Sequence, residues 1–272
     1  MPREIITEAL EKYNPVKVAL MFSGGHDSLV STHLSAQILG RMNIPFVVYH
    51  GDTTIGIEET QEYVKSVCKK MKWSLVIRRP PNKKDWYESI VARSGFPGPT
   101  KAAHQITYRC LKERALRHWI THEVKSTPKA RENVLLLTGI RQSESRIRMG
   151  YTNVTSKDNS KIWCNPIHYF TERDCERYIE DHNLPRNPVK DKICISGECL
   201  CGAFAGKEEL AEIRLAYPEA AKRIDELHEI AKRNGFPWGW SSGPNEWYKN
   251  HPPGQLDMFM CIGCENKYEY SE

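Results

Sequence analysis

The chain has no run of the roughly 18 consecutive apolar residues that crossing a bilayer requires. Its opening residues, Met1-Pro2-Arg3-Glu4-Ile5, lack the basic and apolar regions of a secretory leader. A membrane-spanning protein is thereby excluded, and a cytoplasmic location with no membrane partner is expected. Internal repeats, heptads and low-complexity tracts are also missing, which removes solenoids and coiled coils. Basic residues form no tail, and the formal net charge is only +5. Such a charge suits a protein that handles polyanionic nucleotides or touches nucleic acid, and demands neither. Two common phosphate-binding signatures are absent as well: no Gly-Lys-Ser/Thr of a Walker loop and no GxGxxG of a dinucleotide fold.

What is present is an ordinary globular composition, 40% hydrophobic and 27% charged, which allows one large α/β domain or a domain with a smaller appendage. Residues 17–22 (Lys-Val-Ala-Leu-Met-Phe) form an apolar run without alternation, as a buried parallel strand does. A tight loop follows, then a helix with Val30, Leu34 and Ile38 on one face, stopped by Gly40. Strands are expected at 46–49, 74–77 and 134–138, and helices at 58–71, 107–123, 171–182, 207–216 and 218–234. Thr171 and Asp174 read as a capping pair, and Pro218 and Gly235 as start and stop. Residues 80–103 read as a long loop with one short helix, and 139–159 as irregular. Alternating strands and helices imply an α/β fold, a doubly wound and mostly parallel sheet, with ligands beyond the carboxyl ends of its strands. From Gly235 onward, Trp238, Trp240, Trp247 and four prolines break that pattern. A small C-terminal cap docked by aromatics is expected there. The division reads as a nucleotide-binding domain over 1–190 and a helical and irregular, cysteine-containing region over 191–272.

The loop Ser23-Gly24-Gly25-His26-Asp27-Ser28 lies between a buried strand and a helix start. Backbone amides and the positive end of the helix dipole there favour an anion. Gly24 and Gly25 let the backbone approach a phosphate, Ser23 and Ser28 add hydroxyls, and Asp27 either holds a phosphate-bridging magnesium ion or caps the helix. Asp52, at the second strand's end, is a candidate for ribose, metal or a loop amide.

The string Ser-Gly-Gly-His-Asp-Ser after an apolar strand resembles the pyrophosphate loop (PP-loop), SGGxDS, of the adenine nucleotide α-hydrolase superfamily. Four further segments narrow the resemblance to the phosphoadenosine phosphosulfate (PAPS) reductase family. They are Asp52-Thr53-Thr54 with Glu58-Glu59-Thr60, Tyr108-Arg109-Cys110-Leu111-Lys112, Thr138-Gly139-Ile140-Arg141 with Ser143-Glu144-Ser145-Arg146, and Asn165-Pro166-Ile167 through Leu184-Pro185-Arg186-Asn187-Pro188. They run in the family's order from residue 17 to about 205. The resemblance implies an adenine nucleotide ligand, ATP or a sulfonucleotide (PAPS or adenosine phosphosulfate, APS), with Mg2+. Several cations should then converge on the phosphates: Lys112, Arg141, Arg146 and Arg148, whose guanidinium forks match phosphate oxygens. Gly139 joins the nucleotide site beside Arg141, and His26 fills the loop's variable position.

Nine cysteines are many for such a chain. Five form two tight groups, Cys194, Cys199 and Cys201 in one and the Cys261-Ile-Gly-Cys264 CxxC in the other. Together they suit one four-thiolate centre, zinc or an iron–sulfur cluster, and spacing does not choose between the metals. The resemblance favours a 4Fe-4S cluster. Cys201, Cys261 and Cys264 are the firmest ligands; Cys194 and Cys199 are alternatives for the fourth. Cys110 reads as a helix start, where the dipole lowers a thiol pKa, and is either a ligand or a sulfur carrier. Cys68, Cys164 and Cys175 read as packing residues.

Three functions follow. The first is an ATP pyrophosphatase that activates an acceptor for sulfur transfer, for example in nucleic-acid modification, with a sulfur-donor protein as partner and Asp27, Lys112, Arg141 and Cys110 as the catalytic set. The second is a PAPS or APS reductase, although the family's C-terminal Glu-Cys-Gly-(Leu/Ile)-His tail is missing. The third is a nucleotide-binding regulator without turnover. Protein purified anaerobically is expected to show a broad brown absorption; a colourless preparation carrying zinc would replace the cluster with the simpler ion.

Overall fold

The computed structural model describes residues 1–143, 153–206 and 208–241. Helix α1 (Pro2–Tyr13) precedes β1 (Lys17–Met21), then α2 (His26–Arg41), β2 (Phe46–Gly51), α3 (Glu58–Lys70) and β3 (Leu75–Arg78). A short helix α4 (Tyr87–Ser94) leads to a long helical run made of α5 (Lys101–Tyr108), a π-helical turn (Arg109–Glu113), α6 (Arg114–Trp119) and a second π turn (Ile120–Val124). After β4 (Val134–Leu137) come the hairpin strands β5 (Thr155–Asp158) and β6 (Lys161–Cys164), then α7 (Glu172–Asp181), α8 (Pro188–Ile193), α9 (Glu209–Ala216) and α10 (Pro218–Arg233).

The six strands lie in the order β3-β2-β1-β4-β6-β5. All neighbours are parallel except β5, which runs antiparallel to β6 at the edge. The order reverses at β1, so the β1 and β4 ends form the crevice where such sheets take ligands. Side chains of β1 alternate between two apolar layers. Val18 and Leu20 join α1, α2, α3 and α7, while Ala19 packs with Leu116, Trp119 and Ile120 of the long helical run. All four residues of β4 are buried. That continuous run is what double coverage demands, and each such side chain contributes roughly 1.5–3 kcal/mol of burial.

Several expectations are corrected. The stretch 139–159 holds β5, and β6 follows it. The signal was weak because β5 is Thr-Ser-Lys-Asp on a largely exposed edge and β6 is only four residues long. Helix α2 runs through Gly40 to Arg41, and its buried side is Leu29, Val30, Ala36 and Leu39 together with Ser31, Thr32 and Ser35. Leu34 and Ile38 are half-buried. Small hydroxyl residues lie inside because α2 is packed against α1 and α7 as well as the sheet. The Thr171–Asp174 capping box forms as expected.

A third apolar cluster caps the strand ends, joining Ile55, Ile57, Tyr87, Ile90 and Phe96 to Val189, Leu200, Ile224 and Trp240. The indole of Trp240 donates to the Leu200 carbonyl at 2.7 Å, and that of Trp238 to the Phe96 carbonyl at 2.9 Å. Gly202, at φ +76°, lies flat on Trp240, where a Cβ would sit 2.7 Å from the indole ring. Trp247 lies outside the described residues. None of the described helices is long and apolar enough to cross a membrane. Trp240→Phe keeps an aromatic ring but shrinks it and orphans the buried Leu200 carbonyl, so unfolding in urea should show a loss of at least about 1–3 kcal/mol; unchanged stability would mean the indole N–H is not what holds that carbonyl.

Candidate nucleotide-binding site

The loop after β1 is shaped by one buried side chain from far along the chain. Asn187, fully buried, donates from Nδ2 to the Gly24 carbonyl at 2.9 Å and to the Ser196 carbonyl at 3.2 Å, and accepts from the Val189 amide at 3.0 Å. A trans peptide points its N–H opposite to its C=O, so drawing the Gly24 carbonyl inward turns the Gly25 amide outward. Gly24 sits at φ +91°, and a Cβ there would lie 2.8 Å from the Thr60 methyl. Gly25 is the N-cap of α2 and has no side chain to cap it, which leaves the first-turn amides for an anion. Ser23 donates to Ser28 Oγ at 3.0 Å, and Ser28 donates to the Gly25 carbonyl at 2.8 Å.

Arg141 reaches the loop from beyond β4, its Nε donating to Asp27 Oδ2 at 2.8 Å, with both side chains mostly buried. Gly139 makes this approach possible. A Cβ on it would fall 2.7 Å from the backbone of Asp27 and Ser28, so its contribution is close packing against the loop. His26, 9% exposed, faces away into a charged cluster. Its Nδ1 lies 3.0 Å from Glu176, which also pairs with Arg186 at 2.6 Å, and its Nε2 lies 3.8 Å from Asp191. Burial is the largest single effect on Glu176 and raises its pKa, but the bonds from Arg186 and His26 together outweigh it and lower the pKa from the usual carboxylate value. Arg146 and Arg148 lie outside the described residues.

Beside the loop, beyond the end of β2, is a cleft of about 490 Å³ lined by residues 50–58, Thr60, Arg79, Trp86, Glu198 and Arg223 among others. Asp52 accepts the Thr54 amide at 2.8 Å and pairs with Arg79 at 2.8 Å. Lys112 is not at the phosphate loop's Asp27 but is paired with Glu198 at 2.8 Å. Burial disfavours its charge, but Glu198 and nearby Cys199 outweigh that and raise its pKa.

The segment 196–201 is stitched down by Thr60 on the Ser196 carbonyl, Thr53 on that of Glu198 and Tyr87 on that of Cys201. Cys199 accepts a hydrogen bond from Cys201, which lowers its pKa against the effect of burial, and Cys201 is raised by the same bond. His104 Nε2 lies 3.6 Å from Cys201. Burial first, and Lys112 second, lower its pKa to about 4. Cys194 is exposed in a left-handed conformation at the end of α8. Cys261 and Cys264 lie outside the described residues. Among the described residues no three His, Cys, Asp or Glu side chains converge as a metal site. They offer a two-thiol half-site, Cys199 and Cys201, which would be the part of this region to hold a metal centre.

The reading of Cys110 as a helix start is corrected. The helix begins nine residues earlier, where Thr100 caps it through the Ala103 amide, so the positive dipole end is remote. Cys110 is 3% exposed in the π turn, and burial raises its pKa, with Asp85 as its hydrogen-bond partner. Cys68, Cys164 and Cys175 are buried, and burial raises all three. Sequence reading missed Asn187, Thr60, Glu176 and Glu198 as site builders. Asn187 and Thr60 lay inside quoted motifs, and Glu176 and Glu198 carry no local signal.

The sequence matches the family model described as phosphoadenosine phosphosulfate reductase domain over residues 17–268. The chain belongs to this family. A PAPS reductase relative from Xanthomonas euvesicatoria pv. vesicatoria is 26% identical over 192 residues, covering 68% of this chain and 70% of that protein. Among solved structures, a PAPS reductase from Candida auris is similar at 18% identity and TM-score 0.49, covering 70% of this chain and 83% of its own. An NH3-dependent NAD synthetase from Campylobacter jejuni is similar at 16% identity and TM-score 0.48, covering 86% and 92%. The mostly parallel sheet carries the Gly24-Gly25 loop between β1 and α2.

Gly24→Ala should weaken nucleotide binding at least tenfold, since it combines a backbone cost of about 1–2 kcal/mol with the Thr60 contact. Adding Thr60→Ser removes the methyl and should restore only part of the loss in a calorimetric titration. Full affinity in Gly24→Ala alone would mean that the loop's shape does not matter for binding.

Proposed function

We propose that this PAPS reductase family member is an ATP pyrophosphatase that adenylates an acceptor for sulfur transfer. The observation that carries the reading is the meeting of Arg141 with Asp27 at 2.8 Å on the phosphate loop. Outward amides, a guanidinium and a carboxylate then share one mouth, as a departing pyrophosphate requires. An acceptor oxygen attacks the α-phosphorus and the bond to pyrophosphate breaks. A sulfur nucleophile then displaces AMP from the adenylated acceptor. The loop amides and Arg141 stabilise the charge that builds on the leaving oxygens. Magnesium, when bound, supplies further neutralisation of the pyrophosphate, and Asp27 is the loop carboxylate that would meet it. Cys199 and Cys201, which follow the cleft residue Glu198 in the chain, are our candidates for metal ligands or carriers of sulfur. No step above depends on a cluster.

A second reading, a sulfonucleotide reductase, is favoured by the name of the 26% identical relatives. In that reaction a thiolate attacks the sulfate sulfur and the nucleotide 5′-phosphate leaves, and a thiol of the dithiol reductant then displaces sulfite from the thiosulfonate, forming a disulfide. One experiment separates the two: the full chain, purified anaerobically, is given ATP with magnesium, and separately PAPS or APS with a dithiol reductant. Pyrophosphate release from ATP is expected, with water standing in for the acceptor oxygen and AMP as the other product, and Arg141→Ala should lower it by about 10²–10³-fold. Sulfite release without pyrophosphate would replace the first reading by the second. Tight binding without either product would leave a nucleotide-binding protein without turnover.

A further inference from the structure

We infer that the cleft beside the phosphate loop selects adenine nucleotides with a free 3′-hydroxyl and disfavours those carrying a 3′-phosphate. The inference rests on the nucleotide-binding reading above and sharpens it, because ATP and APS have the bare hydroxyl and PAPS does not.

The cleft neighbours the loop, with Thr60 shared between them: its methyl lies against Gly24, and it also lines the cleft. A nucleotide with its phosphates on the Gly25 and α2 amides therefore extends its sugar and base into this space, and about 490 Å³ is ample for a nucleoside. Among the described residues the charges around that space have one dominant sign: five carboxylates line it, Asp52, Glu58, Glu88, Glu198 and Glu226, against two cations, Arg79 and Arg223.

The pairing sharpens the imbalance. Arg79 is matched by Asp52 at 2.8 Å and lies over the Trp86 ring at 5.4 Å. Arg223 is spent on backbone, donating to the Thr54 carbonyl at 2.6 Å and to that of Gly56 at 3.5 Å. Glu198 has Lys112. Lys83 lies over the outer part of Trp86 at 5.7 Å and does not line the cleft. Glu58, Glu88 and Glu226 are exposed at the rim with no ion-pair partner among the described residues. A sugar hydroxyl is a donor that such carboxylates accept. A phosphate dianion in the same place meets uncompensated negative charge. Dinucleotide folds separate phosphorylated from unphosphorylated ribose in the same way, with an acid near the second strand for the hydroxyl and an arginine for the phosphate. Here the acid is at the end of the second strand, and the arginine beside it is already neutralised.

The test compares AMP with adenosine 3′,5′-bisphosphate, which differ only at the 3′ position, by calorimetric titration of the full chain. AMP is expected to bind at least tenfold more tightly. The gap should narrow as salt is raised and also in Glu58→Gln/Glu226→Gln, which should gain affinity for the bisphosphate relative to AMP. Equal or tighter binding of the bisphosphate by the wild-type chain would overturn the inference and leave the phosphate loop standing. Binding of neither nucleotide, or binding of both unaltered by Gly24→Ala, would sink the nucleotide-site reading and this inference with it.

Discussion

The site depends on a single hydrogen bond, from the Asn187 side chain to the Gly24 carbonyl. A βα loop carries its amides and carbonyls on the same backbone, so a phosphate site exists only if the carbonyls are turned away. Asn187 does this from a fully buried position, and its other bonds, to Ser196 and Val189, fix the residue itself. An unmet carbonyl at that depth would cost about 1–3 kcal/mol. The loop's outward amides are thus the other face of an inward accounting that must balance.

The same bond joins two parts of the chain that face one cleft. Asn187 begins α8, and the segment after it is tied to the end of β2 through Thr53, Thr60 and the Ile57 amide, which donates to the Gly197 carbonyl at 2.7 Å. Gly56 and Gly197 allow that approach; a Cβ on Gly56 would lie 2.6 Å from the Glu198 carbonyl. Phosphate loop, acidic cleft and Cys199–Cys201 pair are therefore held at fixed positions relative to one another. A displacement of the 196–201 segment would reach the phosphate loop through Asn187 and the cleft through Glu198.

Electrostatics divides the region by function. At the loop mouth Arg141 and Asp27 are paired beside the first-turn amides of α2, whose dipole end favours an incoming polyanion. A short distance away, along β2, carboxylates outnumber cations. A ligand that is strongly anionic at one end and neutral elsewhere fits both, which describes a nucleotide whose phosphates are all at the 5′ side.

From the residues alone, the parallel α/β architecture, the loop Ser23–Ser28, the partnership of Arg141 with that loop's neighbourhood and the Thr171 cap could be read. Those features live in short contiguous patterns: apolar runs, glycines at a turn, a capping pair. Tertiary structure decided the rest. It moved Cys110 from an imagined helix start into a buried turn, assigned Lys112 to Glu198, brought β5 and β6 into the sheet and made Asn187 the anchor of a loop 163 residues away in sequence. Each of these is a matter of which polar group meets which partner once water is excluded. Such pairings depend on distances through space that no local spacing records.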